Sequence, residues 1–305
     1  MDPYQQYRTS NKFVGTQRLS NPGIAMNATY DAIISGSSMA MNIYPNQIDS
    51  LFCWNSINLT IMGATTYDYK FLFEVIGRAN KTKNIILSFD FFSFYRTEIP
   101  LETYLYDCSR LNDYRYLINY KSLMDAILKI KMNSVSKNDI YHFNSPIGRD
   151  KPISEYYKIL KNRDKMNCLS VSYKSMYMKF KRDYLPFIQK SKGINFLIFF
   201  PPYSILEFKR AMEVGELKEW LEFKKLAIKD LLQCENVKLY DFQYLDRLTM
   251  NLSDYMDISH HSQKTSRLLM EFMAEDSCRV TMNNFIKNDS ILQSQVKNYN
   301  VPIMK

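Results

Sequence analysis

The stretch DAIISGSSMAMNIYP, Asp31–Pro45, decides how the rest of this 305-residue chain is read. Ala32 to Ser35 is a short apolar run closed by Gly36, too brief for a helix and typical of a buried strand. Two serines follow, and Met39 to Ile48 then reads as a helix. A strand that passes through glycine and serine into a helix is the opening of an α/β unit. A serine at that junction can present a nucleophile on the positively polarised first turn of the helix, or it can cap that helix. Both roles stay open for Ser38, the first candidate, and for Ser37, the second.

Four further β-rich apolar runs extend the pattern: Cys53–Thr60, Asn84–Phe92, Ile194–Phe200 and Val237–Phe242. Segments of helical period lie between them, at Thr65–Asn80, Tyr173–Lys192 and Ile205–Gln233. Strands alternating with helices predict right-handed crossovers and a mostly parallel sheet of about five strands, covered by helices on both faces. Function in such sheets gathers at the carboxyl ends of the strands. Those ends are Gly36–Ser38, Thr60–Thr66, Asp90–Ser93, Pro201–Tyr203 and the residues after Phe242. Residues 96–170, between the third and fourth strands, contain a helical pattern at Tyr116–Met132 and read as a helical insertion beside the active edge. Residues 1–30 form an N-terminal arm, 31–275 the main domain and 276–305 a C-terminal helical extension.

Composition narrows the classes. With 46% hydrophobic and 23% charged residues the chain can bury a large core, and 8 glycines and 10 prolines without a period argue against disorder or a solenoid. The net charge of +9 suits an anionic partner, but the lysines are spread along helical segments such as Lys218–Asp230, where they read as a solvated face. No nucleic-acid-binding motif accompanies them, so no nucleic-acid partner is expected. Cys53, Cys108, Cys168, Cys234 and Cys278 are dispersed and unpaired in spacing, which predicts neither a zinc site nor a disulfide framework. No run of about 18 uncharged apolar residues is present.

Nucleophilic acyl chemistry needs a hydroxyl, a base, a group that orients the base and donors for the oxyanion. Histidine is scarce, at His142, His260 and His261, and the segment YMDISHHS (Tyr255–Ser262) sets Asp257 three residues before His260. That spacing lets a carboxylate take one ring nitrogen while the other faces a hydroxyl, although it equally fits a capping Asp beside a surface histidine. His261 is expected to face solvent as a spare base, and His142 to be a loop residue. Gly63, in NLTIMGATTYD, permits close backbone approach after the second strand and is a candidate oxyanion donor with the Ser38 N–H. Tyr67, Tyr95 and Tyr203 lie near strand ends and are candidates for stacking on sugar rings, Tyr203 foremost. Asp241, at the end of the fifth strand, suits a turn cap.

The order of these blocks resembles the SGNH/GDSL hydrolase superfamily from about Asp31 to about Glu275: GSSM (Gly36–Met39), then NLTIMGATT around Gly63, then DISH (Asp257–His260). Within it, YDAIISGSSM, FFPPYS (Phe199–Ser204) and LYDF (Leu239–Phe242) look most like the membrane-anchored DltD-, AlgX- and AlgJ-like branch of bacterial cell-surface polymer modification. The resemblance implies a three-layer α/β fold with Ser38 as nucleophile, His260 as base, Asp257 as its orienter and Gly63 as an oxyanion donor. One block departs, because Asp90 in SFDFF stands where the superfamily supplies an asparagine donor. An ionised carboxylate there would repel an oxyanion unless it is turned away, protonated or engaged by another group. The branch also implies O-acetylation of a surface glycopolymer beside a membrane-bound O-acyltransferase, with no metal or organic cofactor. MDPYQQYR, at the start, resembles the segment that follows the branch's membrane anchor, and the resemblance implies an anchored protein that faces the periplasm or cell exterior.

Overall fold

The computed structural model describes residues 17–107, 109, 115, 148–162 and 171–303. Five strands, β1 (Ala32–Ser35), β2 (Ser56–Asn58), β3 (Asn84–Ser88), β4 (Asn195–Phe200) and β5 (Val237–Asp241), form one sheet. Every pairing is parallel, in the order β2-β1-β3-β4-β5. Helices cover both faces, which makes the domain a three-layer α/β fold. The strands are apolar on both sides for that reason. Ile33, Ile85, Leu87, Phe196, Ile198, Phe200 and Leu239 point into the larger core, and Ile34, Ile86, Leu197, Phe199 and Tyr240 into the smaller one. Each such side chain, fully buried, contributes about 1.5–3 kcal/mol, so the alternation also fixes register.

Among the described residues the helices are α1 (Gln17–Asn27), α2 (Pro45–Phe52), α3 (Thr66–Ala79), α4 (Phe92–Tyr95), α5 (Asp150–Lys161), α6 (Tyr173–Lys179), α7 (Leu185–Lys190), α8 (Ile205–Glu213), α9 (Glu216–Leu231), α10 (Asp246–Thr249), α11 (Gln263–Ala274) and α12 (Phe285–Asn298). Ile48 of α2 and Leu269, Met270 and Met273 of α11 pack in the smaller core. α1 does not hang free as an arm. Arg18 makes a bidentate pair with Asp68 (2.7 and 2.9 Å), and Asn21 Nδ2 donates to the Leu59 and Thr60 carbonyls.

Several expected boundaries change. The helix expected over Met39–Ile48 is a single 3-10 turn, Ser38–Ala40, followed by α2 from Pro45. Proline lacks the N–H a helix interior needs but fits a first position, so Pro45 starts a helix instead of continuing one. The Tyr173–Lys192 run, by contrast, is helical without a break from Tyr173 to Lys190, with a π segment (Phe180–Tyr184) just ahead of Leu185-Pro186. Ile205–Gln233 divides at Gly215, whose φ of +82° belongs to the left-handed region. The second strand shortens to Ser56–Asn58, because Cys53 adopts φ 56° as the C-cap of α2 and Trp54 stacks back on Phe52 at 4.6 Å. The helical pattern at Tyr116–Met132, with His142, Cys108 and Cys168, lies outside the described residues.

Candidate active site

The sheet order places a topological switch between β1 and β3, whose chains leave toward opposite edges and open a crevice at their carboxyl ends. Ser35 and Leu87 are registered neighbours; three residues beyond them stand Ser38 and Asp90. The turn into Ser38 depends on Gly36. Its φ is +149°, and a Cβ there would lie 2.7 Å from the Ser88 Cβ and 3.0 Å from the Ala40 Cβ. Backbone this close to a neighbouring strand leaves room for glycine alone. The two serines then divide the two roles: Ser37 is buried and its Oγ caps the turn, accepting from the Met39 N–H at 3.2 Å, while Ser38 is half-exposed.

Ser38 Oγ lies 2.8 Å from His260 Nε2, and His260 Nδ1 lies 2.7 Å from Asp257 Oδ2. The other carboxylate oxygen of Asp257 accepts from the backbone N–H of Ser259 (2.8 Å) and His260 (2.6 Å). The loop that carries them closes on itself, with Met256 N–H donating to the His260 carbonyl and Ser262 N–H to that of Asp254. It is also tied to the end of β4. Ser204 donates through N–H (3.2 Å) and Oγ (2.6 Å) to the Ile258 carbonyl, and Tyr255 OH donates to the Pro202 carbonyl. Burial pushes the Asp257 carboxyl up, but the hydrogen bond and charge of His260 and the two N–H donors outweigh it and hold the group below its ordinary range. An ionised Asp257 fixes the ring with Nδ1 protonated and leaves Nε2 as the acceptor facing Ser38.

His261 is not a spare base. It is buried, and burial followed by the neighbouring His260 lowers it to about 3, so it stays neutral. Tyr203 is also corrected. It is fully buried among Phe91, Phe92, Phe208 and Trp220 and offers no face to a sugar. Its hydroxyl donates to Asp90 Oδ1 and accepts from the Phe91 N–H at 3.2 Å. Asp90 Oδ1 takes a second donor, the Phe92 N–H, at 3.2 Å. Asp90 is thus engaged by other groups through Oδ1.

A cavity of about 390 Å3 opens above the dyad. Ser38, Asp90, Asp257 and His260 line it together with apolar Met39, Phe92, Ile159, Leu160, Val214 and Ile258, and with Tyr95. Gly63 is not among the lining residues. Its φ is +60°, the Arg96 guanidinium that lines the cavity passes 3.3 Å from where its Cβ would be, and Arg18 donates to its carbonyl at 3.1 Å. Tyr67 does not line the cavity either, and packs edge-on against Phe71.

Four charged side chains of the wall had no sequence signal: Glu155 on α5, and the ion-paired set of Glu207 and Arg210 on α8 with Glu216 at the start of α9. Burial, only partly offset by Arg210, raises Glu207 to about 7. Asp241 does cap its turn, accepting from the Gln243 N–H, but it also belongs to a buried cluster in which Lys224 bonds Asp241 and Asp289 at 2.8 Å each. Among the described residues no group of three or more His, Cys, Asp or Glu side chains could hold a metal ion, and no helix is long and apolar enough to cross a membrane. Comparison with protein-family models and with curated proteins finds no match.

Proposed function

We propose that this protein is a serine-dependent acyl-transfer enzyme that works outside the cytoplasm on a bacterial surface or exported polysaccharide, with O-acetylation as its reaction. The observation that carries the reading is the unbroken relay from Asp257 through His260 to Ser38, with contacts of 2.7 and 2.8 Å. Ser38 Oγ attacks the acyl carbonyl as its proton passes to His260 Nε2, and the collapsing intermediate expels the donor's alcohol or thiol, which takes that proton. A sugar hydroxyl then gives its proton to His260 and attacks the acyl carbonyl, and the collapsing intermediate expels Ser38, whose Oγ takes that proton back from His260. A cavity of about 390 Å3 is far larger than an acetyl group and leaves room for a sugar ring beside it. The partners in this reading are the glycopolymer and a membrane-bound O-acyltransferase that delivers the acyl group. Water in place of the sugar makes the same relay a carbohydrate esterase.

Asp90 favours a second reading, a polymer-binding or scaffold partner with a degenerate site, because a carboxylate lines the cavity where an oxyanion needs a donor. Intact-mass spectrometry after incubation with p-nitrophenyl acetate separates the two. An acetyl adduct or turnover lost in both Ser38→Ala and His260→Ala supports acyl transfer. A silent parent that still binds polymer, with unchanged circular dichroism, supports the scaffold.

A further inference from the structure

α5 belongs to the segment between β3 and β4, more than a hundred residues from the catalytic loop in sequence, yet one of its side chains reaches that loop. Glu155 Oε2 accepts from the backbone N–H of Ile258 at 3.2 Å, and Glu155, Asp257, Ile258 and His260 all line the same cavity. Ile258 is the residue after Asp257, and the two peptides that flank its Cα are each held: Glu155 accepts from the N–H of the Asp257–Ile258 peptide, while Ser204 donates through N–H and Oγ to the carbonyl of the Ile258–Ser259 peptide. A hydrogen bond on each side of the Ile258 Cα resists rotation of both peptides, and the Asp257 carboxylate next to them keeps its orientation toward His260 Nδ1.

The arrangement is not a by-product of helix docking. α5 is anchored elsewhere by Tyr156 OH to Glu213 Oε1 at 2.7 Å and Tyr157 OH to the Pro302 carbonyl at 3.3 Å, and Pro152, Ile153 and Tyr156 supply its buried face. Setting a second carboxylate beside Asp257 carries a cost, since burial and the Asp257 charge both push the Glu155 carboxyl up. The Ile258 N–H, His260 and Lys151 offset part of that rise.

We infer that Glu155 is a positioning residue, which holds the Ile258 peptide and through it the Asp257–His260 pair in register with Ser38. Its effect on turnover rests on the acyl-transfer reading; its effect on the loop does not. Two variants divide the roles. Glu155→Ala removes the acceptor, whereas Glu155→Gln keeps a carbonyl oxygen for the Ile258 N–H.

The experiment pairs backbone-amide hydrogen exchange at Ile258 with ester turnover in the full chain. Glu155→Ala is expected to speed Ile258 exchange about tenfold or more, the loss for one hydrogen bond to a charged group. It should also lower kcat about tenfold with KM changed less than about twofold, because orientation matters in the transition state more than in binding. Glu155→Gln is expected to restore both. Unchanged Ile258 exchange in Glu155→Ala overturns the inference whatever happens to turnover, as does faster exchange with kcat intact in an active parent. A parent that is silent toward esters, with the Ile258 exchange still answering to the two variants, defeats the acyl-transfer reading while leaving the loop coupling standing.

Discussion

Replacing Gly36 by alanine tests the turn on which the site is built. The added methyl would sit 2.7 Å from the Ser88 Cβ and 3.0 Å from the Ala40 Cβ, both fixed to backbone and unable to swing aside. The φ of +149° adds strain of its own. Overpacking costs about 1–3 kcal/mol and a glycine-only backbone conformation about 1–3 more, so Gly36→Ala is expected to lose about 4 kcal/mol. That is a large share of the roughly 5–15 kcal/mol by which a domain is stable. Urea unfolding followed by circular dichroism measures it, in the parent, Gly36→Ala, Ser88→Gly and the double variant. Ser88→Gly alone should cost about 1 kcal/mol as a glycine in a strand, eased by removal of a buried hydroxyl without a partner. In the double variant the closest clash is gone, so its loss should fall short of the sum by at least about 1 kcal/mol. A Gly36→Ala protein within about 1 kcal/mol of the parent, or strictly additive losses, would refute the steric account.

Asp90→Asn should keep Oδ1 accepting from Tyr203 and the Phe92 N–H while turning the second oxygen into an N–H donor, and ester turnover should rise about tenfold or more in a Ser38-dependent assay. Asp257→Asn should lower the same turnover by about 10^3–10^4-fold, the size of a lost tautomer lock in serine proteases, with the circular dichroism unchanged. Glu207 is raised from 4.5 to about 7, so the stability it confers is complete below pH 4.5 and lost as pH climbs through 7. Relative to the parent, Glu207→Gln should therefore gain about 3 kcal/mol between pH 4.5 and 8, read from unfolding curves at both values. Lys224→Met strands two buried carboxylates, Asp241 and Asp289, and should cost about 3–5 kcal/mol, part of which Asp289→Asn returns in the double variant.

The parts of this molecule that were legible in its sequence are those set by local pattern. All five strands fall inside their apolar runs, because a buried parallel strand is apolar on both faces. Asp257 and His260 were visible because three residues suffice to bring them together. Misreadings arose where one residue overrode a pattern: Pro45, Gly215, and Cys53 in its left-handed turn. Tyr203 looked like a sugar platform because an aromatic at a strand end has the same letter whether it faces solvent or, as here, Trp220 and Asp90. Glu155, Glu207 and Arg210 left no trace because they approach the site through tertiary packing, and nothing in their neighbours' sequence marks a residue as a wall of a distant cavity.

Ser38 and His260 stand 222 residues apart in the chain and meet only at the mouth of a sheet whose last strand is β5. Whatever chemistry they perform is absent from any shorter assembly of the same elements. On the acyl-transfer reading, a chain emerging from the ribosome carries its serine early and stays inert until the loop after β5 arrives. Contacts this distant close slowly. Recovery of activity after dilution from urea would accordingly time the final docking of β5 and its loop, and the site would serve as a clock for completion of the whole domain.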